Sequence, residues 1–202
     1  IPIGPCFDID AGDDIYICEN DTGEMSPEIV NGANYFWNPN LGISNTNISN
    51  PSVFPSSTTT YILTVDSLGF ISTDSVTVYV NSNPIISVSQ DQVICNGGLP
   101  SDISVTNIQG ATYSWSPTNN LTNPIASQTS FTSGLINSTT YSVLVELLGC
   151  KSVDSLQIQV NPIPIVSLTA NPLTVCEGGS IFLQATSNPN ANFFQFQQYN
   201  GS

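Results

Sequence analysis

"STTTYILTV" (residues 57–65) is answered 80 residues later by "NSTTYSVLV" (137–145). In both, a Thr pair leads into Tyr, and apolar residues then alternate with polar ones: Tyr61, Leu63 and Val65 in one, Tyr141, Val143 and Val145 in the other. A period of two puts those side chains on one face of an extended strand, and β-branched and aromatic residues suit such a half-buried surface. The closing segments "TDSVTVYVNSNP" (73–84) and "VDSLQIQVNPIP" (153–164) show the same period and sit 80 apart. Two strands recurring in order at one spacing indicate a duplicated all-β unit.

The duplication extends in both directions. "NGANYFWNPNLG" (31–42) matches "QGATYSWSPTNNL" (109–121), placing Trp37 and Trp115 78 apart. The openers "DDIYICEND" (13–21), "DQVICNGG" (91–98) and "PLTVCEGG" (172–179) align on Cys18, Cys95 and Cys176. Shared anchors at a steady period define tandem copies. The boundaries expected are 1–82 for a first sandwich with its lead-in, 83–163 for a second, and 164–202 for part of a third. Turn clusters such as "NPNLG", "SNPS" and "TNPI" separate short strands, and no helical stripe is present. About seven short strands per copy predict an antiparallel β-sandwich of immunoglobulin-like architecture. The linkers "NSNP" and "NPIP" are short and contain Pro, which favours a semi-rigid line of units.

Composition narrows the function. Lys and Arg total 1 against 15 acidic residues, a net charge of −14 with no His. A nucleic-acid partner is not expected, because phosphate binding needs several cations and only Lys151 is available. Membrane insertion is not expected, since no apolar run reaches the roughly 18–20 residues of a spanning helix. The start "IPIGPC" is unlike a signal peptide, so one is expected to have been removed or to lie upstream. Without His or Arg, neither a Ser-His-Asp nor a Cys-His arrangement can form, and no enzyme activity is expected.

Five cysteines in such a chain fit an oxidising compartment, and the lack of His and of a CxxC motif argues against zinc. "DSLGFISTDSV" (66–76) aligns with "ELLGCKSVDSL" (146–156), so Phe70 stands where the second copy has Cys150. Cys95 and Cys150 are expected to bridge across one pole of the second sandwich, a loop that contributes on the order of 3–5 kcal/mol by chain entropy. Cys18 then lacks a partner in its own copy and is assigned to Cys6, with a link from Cys6 to an upstream or separate chain as the rival. Cys176 would await a partner in the rest of the third copy.

Other residues divide between packing and binding. Trp37 and Trp115 could stack on sugar rings, but their mid-strand positions favour the core. Tyr61 and Tyr141 are expected to be core or corner tyrosines. Asp8, Asp10, Asp13 and Asp14 offer oxygen ligands for calcium, although a solvated acidic edge is the preferred reading because the other copies do not keep the set.

The anchors "AGDDIYICEN", "VICNGG", "YFWNPNLG", "YSWSPTNNL", "STTTYILTV" and "DSVTVYVN" resemble the PKD-like and immunoglobulin-like tandem repeats of large Bacteroidota surface proteins, including gliding-motility adhesins and type IX secretion substrates. The resemblance implies an exported, extracellular, cell-surface segment acting as a stalk or part of an adhesive filament. Its implied partners are other repeats of the same protein, surface glycans, or the secretion and motility machinery. Asp66-Ser67-Leu68, Asp74-Ser75-Val76 and Asp154-Ser155-Leu156 also resemble the Bacteroidota O-glycosylation acceptor, which would mark Ser67, Ser75 and Ser155. A carbohydrate-binding accessory module of a secreted hydrolase is the alternative function. No cofactor is expected beyond the calcium just considered.

Overall fold

The computed structural model describes residues 7–171, 173–189 and 195. Fourteen β-strands are present among them, and no helix. In the first unit these are β1 (Ile15–Cys18), β2 (Gly23–Glu24), β3 (Asn34–Asn38), β4 (Ser52–Val53), β5 (Thr59–Ser67) and β6 (Phe70–Asn81). The second unit repeats the series as β7 (Gln92–Cys95), β8 (Ile103–Ser104), β9 (Thr112–Ser116), β10 (Gln128–Thr129), β11 (Thr139–Leu147) and β12 (Cys150–Asn161). Each unit folds into a four-stranded sheet, β1-β6-β5-β3 or β7-β12-β11-β9, facing a two-stranded one, β2-β4 or β8-β10. These are immunoglobulin-like sandwiches, all-β as the alternation predicts.

The alternation translates directly into cores. Tyr61, Leu63 and Val65 of β5, with Val76 and Val78 of β6, point inward and meet Trp37, Met25 and Val53. Tyr141, Val143 and Val145 of β11, with Leu156 and Ile158 of β12, do the same around Trp115, Ile103 and Phe131. Burying each large apolar side chain is worth about 1.5–3 kcal/mol. The two clusters share no residue, so each sandwich has its own core.

One departure from the expected antiparallel pattern has consequences at the junction. β1 runs parallel to β6, pairing Ile15 with Val78 and Cys18 with Asn81. β7 runs parallel to β12 in the same way, pairing Gln92 with Ile158 and Cys95 with Asn161. The opening strand therefore ends beside the end of the closing strand. Asp residues fix this edge: Asp14 accepts from Thr77 N at 2.8 Å, and Asp91 from Gln157 N at 2.7 Å.

The hairpin turns between the last two strands are also alike. Leu68-Gly69 has φ of 55° and 85°, and Leu148-Gly149 has 51° and 84°. Two successive positive φ values match the type I′ turn that suits the twist of a two-residue hairpin. Glycine at the second position supplies its φ without steric cost.

Beyond Asn161, β13 (Ile165–Asn171) and β14 (Phe182–Asn188) form an antiparallel pair. Leu168 lies opposite Ala185, as Val88 lies opposite Val105 exactly 80 residues earlier.

Candidate functional site: the junction between the sandwiches

The junction is built from the end of β1 and the turn that opens β12. Parallel pairing carries Cys18 to the pole where β6 ends, immediately before the linker Ser82–Pro84. The ladder runs one step further, with Glu19 N donating to Asn81 O at 2.9 Å. Asp21 N then donates back to Cys18 O at 3.0 Å, holding the cysteine in a tight turn. From the other side, the Leu148-Gly149 turn delivers Cys150. The two sulfurs form a disulfide across the two sandwiches, with Cα atoms 5.5 Å apart and 132 residues of sequence separation. A shallow cavity of about 260 Å³ adjoins it, lined in part by Tyr16, Asp21, Thr22, Asn81 and Leu148.

This bridge replaces both pairings expected from the sequence. Cys95 cannot reach Cys150, because β7 is parallel to β12 and leaves Cys95 beside Asn161, at the far end of the strand that Cys150 begins. At about 3.3 Å per residue those ends lie roughly 36 Å apart. Cys95 is an exposed free thiol, as is Cys176. The assignment of Cys18 to Cys6 fails because the sulfur of Cys18 is bonded to Cys150. Cys6 itself lies outside the described residues.

Burial at the pole records the contact. Cys150 is 0% exposed, whereas Phe70, at the matching position of the first sandwich, is 36% exposed. Lys151, next in β12, makes an exposed ion pair with Glu146 at 3.6 Å. Exposed pairs of this kind contribute little to stability.

The other sequence-designated residues fall elsewhere. Trp37 and Trp115 are 0% and 1% exposed, and their indole N–H groups donate to Ile48 O (3.1 Å) and Ala126 O (2.9 Å). Neither ring can stack on a sugar. The Tyr61 hydroxyl donates to Leu41 O at 2.7 Å and that of Tyr141 to Asn119 O at 3.3 Å. Burial raises the pKa of both phenols, because the phenolate would lose its hydration.

Of the four acidic residues considered for calcium, Asp14 accepts from Thr77 N and Asp10 from Gly12 N. Among the described residues, no group of three or more acidic, Cys or His side chains has metal-ligating geometry. Asp74 accepts from Ala11 N at 2.8 Å and Asp154 from Val88 N at 3.1 Å, so the repeated Asp-Ser pairs tie the incoming segment to the closing strand. Asp66 accepts from Gly69 N at 2.9 Å within the hairpin turn. Ser75 and Ser155 are exposed and Ser67 is half-buried.

Sequence reasoning missed one aromatic feature. Tyr16 and Tyr79 are cross-strand partners on the outer face of the first sheet, stacked with ring centroids 4.9 Å apart and planes 13° from parallel. The signal was available, since both tyrosines occupy outward positions in alternating strands.

No protein-family model matches the chain, and no curated protein does. Among solved structures it is similar to an I-band fragment of titin at 9% identity and a TM-score of 0.43, covering 88% of this chain and 75% of that one. It is similar at 12% identity and 0.40 to the N-terminal eight immunoglobulin domains of Down Syndrome Cell Adhesion Molecule, covering 89% of this chain and 31% of that one. A SusE-like surface-located polysaccharide-binding protein from the Bacteroides thetaiotaomicron heparin utilisation locus is similar at 12% identity and 0.39, over 83% of this chain and 36% of that one.

No helix among the described residues is long and apolar enough to cross a membrane.

Proposed function

We propose that the chain is a structural and adhesive repeat segment of a larger exported cell-surface protein, serving as a stalk or part of a filament. The observation that carries this reading is the Cys18–Cys150 bridge, which joins one sandwich to the next instead of closing a loop within one. A covalent link between units limits their relative motion and suits a part that must hold its length. It also requires an oxidising compartment, in line with an extracellular location.

In this reading the repeats run 1–82, 83–163 and 164–202, with the β13–β14 pair as the opening of the third. The resemblance to PKD-like repeats of Bacteroidota surface proteins gives the finer assignment, including type IX export, gliding motility and O-glycosylation at Ser67, Ser75 and Ser155. Partners are then other repeats of the same protein, surface glycans or the secretion and motility machinery. The role is non-enzymatic.

Small-angle scattering combined with a glycan array tests the proposal. The expected result is an elongated, stiff particle whose glycan binding, if any, does not depend on the Tyr16–Tyr79 stack. A compact globule, or a profile as broad as that of a flexible tether, would overturn it. Specific glycan retention abolished by Tyr16→Ala and Tyr79→Ala would instead support the carbohydrate-binding module, since that exposed stack beside the junction cavity is the observation favouring it.

A further inference from the structure

The junction bridge uses one cysteine from a post-strand turn and one from a hairpin turn, and the chain repeats the first of these twice more. Cys18, Cys95 and Cys176 stand in the same local structure. In each, the backbone N–H three residues on donates to the cysteine carbonyl: Asp21 at 3.0 Å, Gly98 at 2.8 Å and Gly179 at 2.9 Å. In each, the residue two positions on has positive φ: Asn20 at 68°, Gly97 at 79° and Gly178 at 81°.

Cys18 and Cys95 also share their register. Cys18 lies beside Asn81 and Cys95 beside Asn161, and the next amides, Glu19 N and Asn96 N, donate to those carbonyls at 2.9 and 2.8 Å. The chain then leaves each pole in phase: "NSNPIISV" (81–88) corresponds to "NPIPIVSL" (161–168), with Pro84 and Pro164 aligned. At the first of these poles the arriving hairpin turn is covalently held. At the second the thiol is exposed and free.

We propose that Cys95 is a second docking site between units, and that its partner is the hairpin turn of a following repeat of this kind bearing a cysteine at the position of Cys150. The proposal rests on the tandem-repeat reading and extends it from one bridge to a series of them. Glutathione disulfide is a sufficient oxidant. The Cys95 thiolate attacks it, giving a mixed disulfide and one glutathione. The hairpin thiolate then displaces the second glutathione, leaving the protein bridge and two reduced glutathiones. Cys176 stands in the corresponding position for the repeat after that. Phe70 shows the complementary case, a hairpin turn that has no thiol to offer the unit before it.

The test extends the chain in phase. Residues 84–163, carrying Cys95→Ser in the added copy so that a single Cys95 remains, are repeated directly after Ile163, oxidised with a glutathione redox buffer and mapped by non-reducing peptide mass spectrometry. The 202-residue chain is the reference. Two bridges are expected, Cys18–Cys150 and Cys95 to the Cys150 of the repeated copy, and alkylation of Cys95 should fall about tenfold or more relative to the reference. Placing Cys150→Phe in the repeated copy alone should restore that alkylation and leave Cys18–Cys150 intact.

Retention of Cys18–Cys150 with Cys95 still alkylated overturns the serial bridge while leaving the tandem reading standing. Loss of both bridges, or a tandem that does not fold, counts against both, because each sandwich has its own core and the new joint copies the one already present.

Discussion

Pulling the protein by its ends separates the bridged junction from a simple tandem. Load entering near residue 7 travels along β1 to Cys18, crosses the disulfide to Cys150, and leaves along β12. The 132-residue separation between the cysteines lies off that path. At about 3.5 Å per residue the bypassed chain amounts to roughly 460 Å of contour length that oxidised protein cannot release. What remains available is β1 with its lead-in on one side, about 40 Å, and on the other β12, about 40 Å, followed by the β13–β14 pair. Reduction should expose the hidden length as two unfolding events that gain roughly 230 Å apiece, one per sandwich, before subtracting the folded end-to-end distances. Single-molecule force spectroscopy with and without dithiothreitol reads this directly, and Cys150→Ser without reductant should reproduce the reduced trace. Two long steps in fully oxidised protein, unchanged by reduction, would show that the bridge does not carry the load.

Three further outcomes follow from the interior and the Asp contacts. Trp115→Ala should destabilise the second sandwich by about 3–5 kcal/mol, measured by urea denaturation, because it empties a core position and strands Ala126 O. Raising the pH should lower the melting temperature once it passes the ordinary phenol value of 10.0. Tyr61 and Tyr141 have raised pKa values in the fold, so the folded state holds those protons more tightly, and stability is intact below that pH and declines above it. The drop should shrink in Tyr61→Phe combined with Tyr141→Phe. Asp154→Ala should cost about 1–3 kcal/mol in thermal or chemical melts by leaving Val88 N without its acceptor, and Asp154→Asn less, since it keeps an acceptor oxygen.

The interior was readable because strand periodicity and burial are the same fact seen twice. Tyr61-Leu63-Val65 and Tyr141-Val143-Val145 alternate in the sequence and line the two cores. Trp37 and Trp115 followed from their place in the middle of a strand. Edge pairing was not readable in this way. Alternation fixes which face of β1 or β7 is buried and says nothing about whether the strand runs with or against its neighbour. Four-residue strands such as Ile15–Cys18 carry no turn that would set direction. Assuming that the end of the opening strand and the hairpin turn share a pole led to Cys95–Cys150. Parallel pairing sends them to opposite poles. The Asp14/Asp91 pair was a usable hint, because it recurs at the repeat spacing and in both units anchors the strand edge.

Phe70 then changes meaning. Aligned against Cys150, it suggested that Cys18 had lost a partner within its own copy. In the folded chain Cys18 and Cys150 each bond outside their own sandwich. The hairpin turn of the second sandwich faces the first sandwich, and the cysteine ending the first sandwich's opening strand faces the second. Cys18 keeps its bridge because the second sandwich supplies Cys150, and Phe70 takes no part in it. The junction and the cores thus rest on different residues: the bridge on Cys18 and Cys150, each core on side chains of its own sandwich.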